Sequence, residues 1–400
     1  MTAMTMTMPH ARGTAGIERL TVGLLLGFVA SLQISIAAAN ILLAATLALW
    51  AVTLVRDRTR PIAPPFFLPL VVYGVATLLS ATFSIDRATS LIDCKQLVLF
   101  AIVPLVYDVA RGERTSTVVD VIVSVGAASA AYGIIQYGML HYDNLGRRPE
   151  GALTHYMTYS GILMLVICAA AARLIFGARD RLWPALVMPA VVVALSLTFT
   201  RSAFVGACVA VGLLFVLKDF RLTALLPVVI ALLFALAPGQ VANRMMSMFN
   251  AVPDATNQDR LAMMEVGARM VKDHPFVGVG PNMVPRLYAQ YRPDYAVNPT
   301  NPHLHNVPLQ IAAERGLVAL AAWLWFLVAL AMALFRLFRQ QTDRTLAAAA
   351  LASIAAMLAA GFFEYNFGDS EFLMMFLVVI TLPFAAANRE EGRAPSAARA

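Results

Sequence analysis

Charge is scarce in this sequence. Asp, Glu, Lys and Arg make up 13% of its 400 residues, where soluble globular domains carry roughly one quarter. With 60% hydrophobic residues beside them, the solvent to assume is a bilayer. Cysteine is nearly missing: Cys94, Cys168 and Cys208 are odd in number, lack CxxC spacing and sit in or beside apolar runs. That excludes a disulfide framework and a thiolate metal site. Nucleotide signatures are missing too, since the glycine-rich Phe276-Val-Gly-Val-Gly-Pro-Asn282 follows no strand and contains neither GxGxxG nor GxxxxGK. No Asp-x-Asp metal motif occurs. The net charge of +7 falls in short clusters between apolar runs, with no basic stripe and no aromatic platform, so nucleic acid is not an expected partner. No small-residue cleavage site follows the polar stretch Met1 to Arg19, which predicts a retained first helix and no signal peptide.

What is present is a series of apolar stretches, each long enough for about 30 Å of hydrocarbon. They fall near 20–36, 38–55, 66–83, 91–108, 117–138, 157–176, 183–199, 202–217, 220–237, 312–337, 345–363 and 371–387. The expectation is an all-α polytopic membrane protein of about 12 transmembrane helices. Placing the N-terminus in the cytoplasm puts about 18 of the 30 basic residues on the inner side, among them Arg56, Arg58, Arg60, Arg111, Arg114 and Arg173. The short loops opposite hold Arg87, Lys95, Arg147, Arg148 and Arg201. By the positive-inside rule both termini are then cytoplasmic.

One loop breaks the pattern. Loops beyond about 12–15 residues are functional or disordered, and the stretch from Pro238 to about His305 runs to roughly 70. Met245, Met246, Met248, Phe249, Met263, Val266, Met270 and several tyrosines argue that it is ordered and folds over the membrane surface. The division expected is 1–237 for helices one to nine, 238–311 for a partly helical periplasmic loop domain, 312–387 for helices ten to twelve and 388–400 for a cytoplasmic tail.

Within the loop, Asn257 to Asp273 reads as a helix capped by Asn257, with Asp259 in its first turn and His274-Pro275 as its stop. Arg260, Met264, Gly267 and Val271 share a stripe on it. Gly278 and Gly280 fit a tight reversal. In Asn298-Pro-Thr-Asn-Pro-His-Leu-His-Asn306, the residues His305, Leu309, Ala312 or Ala313 and Gly316 follow helical spacing, which sets His305 near the first turn of a helix at the membrane interface. His305 reads either as a hydrogen-bonded loop histidine or as a catalytic base. His303 does not share its helical face, and His-x-His without a nearby carboxylate cluster is a weak metal signal. Arg201, in Thr198-Phe-Thr-Arg-Ser202 between two spans, either snorkels to headgroups or faces a polar cavity or an anion. Arg147 and Arg148 meet lipid phosphate on the same grounds. Glu364, Asp369 and Glu371 in the last outer loop neutralise arginines, position a sugar or are simply solvated. Several guanidiniums and one imidazole suit a substrate whose leaving group is a phosphate anion: arginines hold a diphosphate while neutral histidine takes a proton from an attacking hydroxyl.

These residues carry a resemblance. His305-Asn306-x-x-Leu309 continuing to Glu314-x-Gly316, with Thr200-Arg201-Ser202 at a mid-chain outer turn and Arg260 before Pro275-Phe-Val-Gly-Val-Gly280, resembles the O-antigen ligase and O-antigen polymerase superfamily. The resemblance implies a GT-C-like membrane glycosyltransferase of the bacterial inner membrane whose active site faces the periplasm. It implies transfer of O-antigen glycan from undecaprenyl diphosphate to a hydroxyl of the lipid A core oligosaccharide, with inversion and with no metal or other cofactor. It makes His305 the general base and Arg201 and Arg260 the diphosphate ligands, with Arg147, Arg148, Asn306 and His303 as further substrate-binding candidates. The three principal residues are expected to converge on one cavity open sideways to the membrane. O-antigen polymerases and protein O-oligosaccharyltransferases share the motif and differ in acceptor. A twelve-helix secondary transporter would need charges at mid-depth and broken helices in paired positions, and a lipid-carrier flippase would need a charged cavity open to both sides.

Overall fold

A computed structural model describes residues 10–178, 181–228, 230, 231, 239 and 255–391, with backbone alone at 10–15, 255–257 and 389–391. Most of the second half of the expected ninth span, the loop residues Met245, Met246, Met248 and Phe249, and the tail from 392 lie outside the described residues.

The described chain is helical throughout, with no strand. It runs α1 (His10–Ser31), α2 (Ile36–Asp57), α3 (Phe67–Thr82), α4 (Arg87–Asp93), a 3-10 stretch (Cys94–Ala101), α5 (Ile102–Val109), α6 (Arg114–Met139), α7 (Tyr156–Phe176), α8 (Leu182–Leu197) and α9 (Arg201–Lys218). After a 3-10 turn (Phe220–Leu225) come α10 (Ala255–Asp273), α11 (Val284–Tyr291), α12 (Val307–Gln340), α13 (Thr345–Gly361), a 3-10 turn (Asn366–Gly368) and α14 (Ser370–Glu391). Among the described residues, seven helical units are long and apolar enough to cross a membrane: α2, the Arg87–Val109 unit, α6, α7, α9, α12 and α14. α3, α8 and α13 are shorter apolar helices. The chain is a polytopic membrane protein. Helices occupy the positions of the expected spans; at the ninth, a 3-10 turn leads into helical residues at 226–228, 230 and 231, and the rest lies outside the described residues.

Apolarity on all sides of a helix calls for burial on all sides. α7 answers that demand, with 83% of its apolar window buried against 22% for α2, so α7 is central and α2 peripheral. Small residues set the close approaches. α13, rich in alanine, packs on α9 at Gly206, where a Cβ would stand 2.4 Å from the Met164 sulfur and 2.8 Å from the Ala356 carbonyl. Arg173, counted on the inner side, sits buried in the last turn of α7, paired with Asp120 and donating to the Ser116 carbonyl at 3.1 Å.

The turns 83–86, 140–155, 198–200 and 362–369 gather at one end of the bundle together with 274–306. Glu18, Arg56, Arg60, Asp108, Arg111 and Arg114 line a cavity at the other. Arg60 after α2 and Arg111 after α5 thus share that second end.

α12 starts at Val307, earlier than the expected 312, and is broken at Gly316, where φ is 82° and ψ 170°. A side chain is excluded there: its Cβ would lie 2.0 Å from the Phe276 carbonyl oxygen. The break strips helical partners from the turn around it, and the reversal at 275–280 replaces them. Val279 N donates to the Ala313 carbonyl at 2.9 Å, Gly280 N to that of Glu314 at 2.8 Å, and Leu317 N to that of Pro275 at 2.7 Å. Gly278 (φ 69°) and Gly280 (φ 109°) make that reversal, as their spacing predicted. Hydroxyls from the α3–α4 corner complete it: Ser80 Oγ lies 2.6 Å from the Val277 carbonyl, and Ser90 Oγ 2.7 Å from that of Pro281. Beside the break, the buried Arg315 donates to Glu314 (3.1 Å) and the Tyr365 hydroxyl (3.0 Å) and pairs with Asp93 at 3.7 Å, while its Nε has no hydrogen-bond partner among the described residues.

Candidate active site

α10 begins at Ala255, two residues before the expected cap, which moves Asp259 out of the first turn. Its inward face is Asp259, Ala262, Met263, Val266 and Met270, packed with Leu304 and Tyr288. The Arg260–Met264 stripe is turned outward, and Met264 is 52% exposed. Gly267 belongs to the contact with Leu309 and Leu304, where a Cβ would meet Leu309 at 2.6 Å. Asp259 fastens the next segment by accepting from Asn298 N (3.1 Å), Asn298 Nδ2 (2.7 Å) and Asn301 Nδ2 (3.3 Å).

His305 stands before the helix, not in its first turn. Asn306 is the N-cap of α12, accepting from Leu309 N at 2.9 Å and donating to the Phe362 carbonyl at 3.2 Å. His305 precedes it with φ 48°, a left-handed backbone that swings the ring away from the helix axis. Gln310 returns to accept from Leu304 N at 2.7 Å and holds the turn.

The ring of His305 meets Glu364, 59 residues further on, with Nδ1 to Oε2 at 2.9 Å. A carboxylate accepts, so Nδ1 carries the proton and Nε2 presents its lone pair. The other Glu364 oxygen accepts from Tyr365 N at 3.0 Å and lies 3.8 Å from His303 Nε2. Burial pushes the Glu364 carboxyl up, but the hydrogen bond with His305 and the charges of His305 and His303 outweigh it, and the group is held below the usual glutamate range. His303 is pushed down to about 4 by burial and by the neighbouring His305.

Arg148, Tyr156, Thr200, Arg201, Arg260, Asn298, Asn301, His305 and Glu364 line one open cavity of about 1050 Å³. Arg201 is the first residue of α9, after Thr200 at the cap position, so its guanidinium adds to the positive end of an 18-residue helix. Arg260 reaches across to the α13–α14 turn, with its guanidinium 6.0 Å from the Phe363 ring centroid. Arg148 stacks on Tyr156 at 4.2 Å. Arg147 stacks on Tyr142 instead and lines none of this cavity. His303 opens onto a neighbouring cavity of about 600 Å³ that shares Met157 and Glu364 with the first and is lined also by His155, Thr158 and Asp369. Burial raises the Asp369 carboxyl despite its bonds from Phe372 N and Thr158. Cationic groups at one wall and a carboxylate-backed imidazole at the other can hold an anionic leaving group and take a proton.

Residues 190–324 match the family described as O-antigen ligase. That match, over about a third of the chain, supports an O-antigen ligase family assignment. No curated protein matches the chain. The matched stretch runs from within α8 to just beyond the Gly316 break. It contains Arg201, Arg260, His303, His305 and Asn306; Arg148 and Glu364 line the same cavity from outside the matched stretch. The matched family's chemistry is that of a ligase- or polymerase-like glycosyltransferase acting on polysaccharide or lipid-linked substrates.

Proposed function

We propose that this chain transfers O-antigen glycan from undecaprenyl diphosphate to a hydroxyl of the lipid A core oligosaccharide, at the periplasmic face of the bacterial inner membrane, with both termini cytoplasmic. The observation that carries the reading is the single cavity in which Arg201 and Arg260 stand with His305, itself backed by Glu364. His305 Nε2 accepts the proton of the acceptor hydroxyl. That oxygen attacks the anomeric carbon as its bond to the diphosphate breaks, and inversion follows from the single displacement. The departing diphosphate keeps the electron pair, and its charge is met by Arg201 and Arg260 as it develops. Glu364 holds the imidazole in the productive tautomer and stabilises the imidazolium that forms. The fold is read as GT-C-like, and fixed guanidiniums make the charge stabilisation available without a divalent ion.

The same residues serve an O-antigen polymerase or a protein O-oligosaccharyltransferase, which differ in acceptor. The deciding experiment supplies purified undecaprenyl diphosphate-linked donor and lipid A core to the protein in detergent with EDTA. Wild-type transfer that is lost in a folded His305→Ala variant supports the reading. Glycan elongation on the donor lipid without core modification selects the polymerase, and absence of transfer to any acceptor overturns the enzyme reading in favour of a transporter.

A further inference from the structure

His303 stands against the hydrogen-bonded pair of His305 and Glu364. One ligand atom from each lies within 4.8 Å of the others. The two imidazoles meet edge to face with centroids 4.1 Å apart, and each faces a different oxygen of the one carboxylate, at 3.8 Å for His303 and 2.9 Å for His305. The longer separation is beyond hydrogen-bond range. A four-coordinate ion with bonds of about 2.0–2.1 Å sets its ligand atoms about 3.4 Å apart, and the two observed separations straddle that value. The left-handed backbone at His305 is what brings both rings of the His-x-His pair to the same carboxylate. The cluster is reached from both cavities, since Glu364 lines each of them, His305 one and His303 the other. Two imidazoles and a carboxylate with an open fourth position suit zinc better than magnesium or calcium, which prefer oxygen donors.

We propose that these three residues form an inhibitory site for a divalent transition ion, with Zn²⁺ as the probe. The inhibitory consequence rests on the reading of His305 as the base; the binding itself does not. An ion on His305 Nδ1 takes the lone pair of a neutral imidazole, so the proton formerly on Nδ1 resides on Nε2. Nε2–H donates and accepts nothing, and the acceptor hydroxyl loses its base. The same ion engages the Glu364 carboxylate, removing the partner that stabilises the imidazolium. The ion is therefore an antagonist of transfer, not a cofactor for it.

The test is run on tag-free full-length protein in detergent, titrating Zn²⁺ against a chromophoric chelator at neutral pH. About one competing ion per chain is expected for the wild type, with affinity reduced roughly 10-fold or more in His303→Asn and in Glu364→Gln. Equal binding by wild type and both variants overturns the proposal, as does absence of competition in the wild type. In the transfer assay, the ratio of rate in Zn²⁺ to rate in EDTA is compared within each protein. The wild type is expected to be blocked and restored by EDTA, and His303→Asn to need roughly 10-fold more zinc for the same fractional block; equal sensitivity overturns the inhibitory role. Should the wild type transfer nothing in EDTA, the glycosyl-transfer reading fails on its own, while the chelator titration, which needs no turnover, still decides the site.

Discussion

Replacing Glu364 with glutamine keeps the shape of the side chain and removes its charge. The hydrogen bond to His305 Nδ1 is 2.9 Å, which sets the charge centres of carboxylate and imidazolium about 4 Å apart; at an effective dielectric near 20 the full attraction is about 4 kcal/mol. A transition state with the proton about half transferred recovers roughly half of that, about 2 kcal/mol or ~30-fold in rate. Should the new amide donate to Nδ1, the imidazole is held in the wrong tautomer and the loss grows to ~1000-fold or beyond. Turnover of Glu364→Gln in EDTA is therefore expected to fall by ~30- to 1000-fold. Donor affinity is expected to hold or rise, because Glu364 lines the cavity and its negative charge opposes a diphosphate. The oxygen that accepts from Tyr365 N is retained, so the local turn survives. The assay is core-oligosaccharide modification followed by gel shift, with donor binding measured separately. Turnover within about 3-fold of wild type, or a loss confined to donor binding, refutes the role given to Glu364.

Arg201→Ala and Arg260→Ala are each expected to lower kcat/KM by ~10- to 150-fold, the worth of one charge-assisted hydrogen bond of about 1.5–3 kcal/mol. Arg147→Ala, outside the cavity, is the control expected to stay within about 3-fold, and an Arg147 effect as large as that of Arg201 would contradict the assignment. Gly316→Ala is expected to cost at least about 3 kcal/mol, since φ 82° with ψ 170° is a glycine-only conformation; a thermal midpoint equal to that of wild type in detergent would show the break to be dispensable. Asn306→Ala is expected to cost about 1 kcal/mol of stability through loss of the cap. Donor affinity is expected to stay unchanged, because both ends of that amide are engaged within the protein.

Most of the helical plan was legible because apolar run length is a local property, and the bilayer demands it segment by segment. The reversal at Gly278 and Gly280 was legible for the same reason. What local pattern missed is long-range. Helical spacing carried His305 into the first turn of α12, whereas Asn306 takes the cap and leaves His305 in a left-handed turn. The weak metal signal of His303 and His305 lacked a carboxylate because Glu364 lies 59 residues away in sequence. From sequence, Glu364 reads as a partner for arginines, a group that positions a sugar, or a solvated carboxylate. The Arg260–Met264 stripe pointed outward because the buried demand on α10 came from Asp259, which anchors Asn298 and Asn301. Arg147 and Arg148 looked equivalent as neighbours, and only the positions of Tyr142 and Tyr156 separate them.

The broken turn at Gly316 also bears on modularity. Its hydrogen bonds come from residues 275–280 and its buttress from Ser80 and Ser90, so three stretches far apart in sequence form one joint. A chimera that grafts another protein's extracytoplasmic segment onto this scaffold would leave carbonyls of α12 bare within the protein interior unless all three stretches travel together. The unit of exchange, for evolution as for engineering, is the joint of 80–90, 275–281 and 313–317, not the loop.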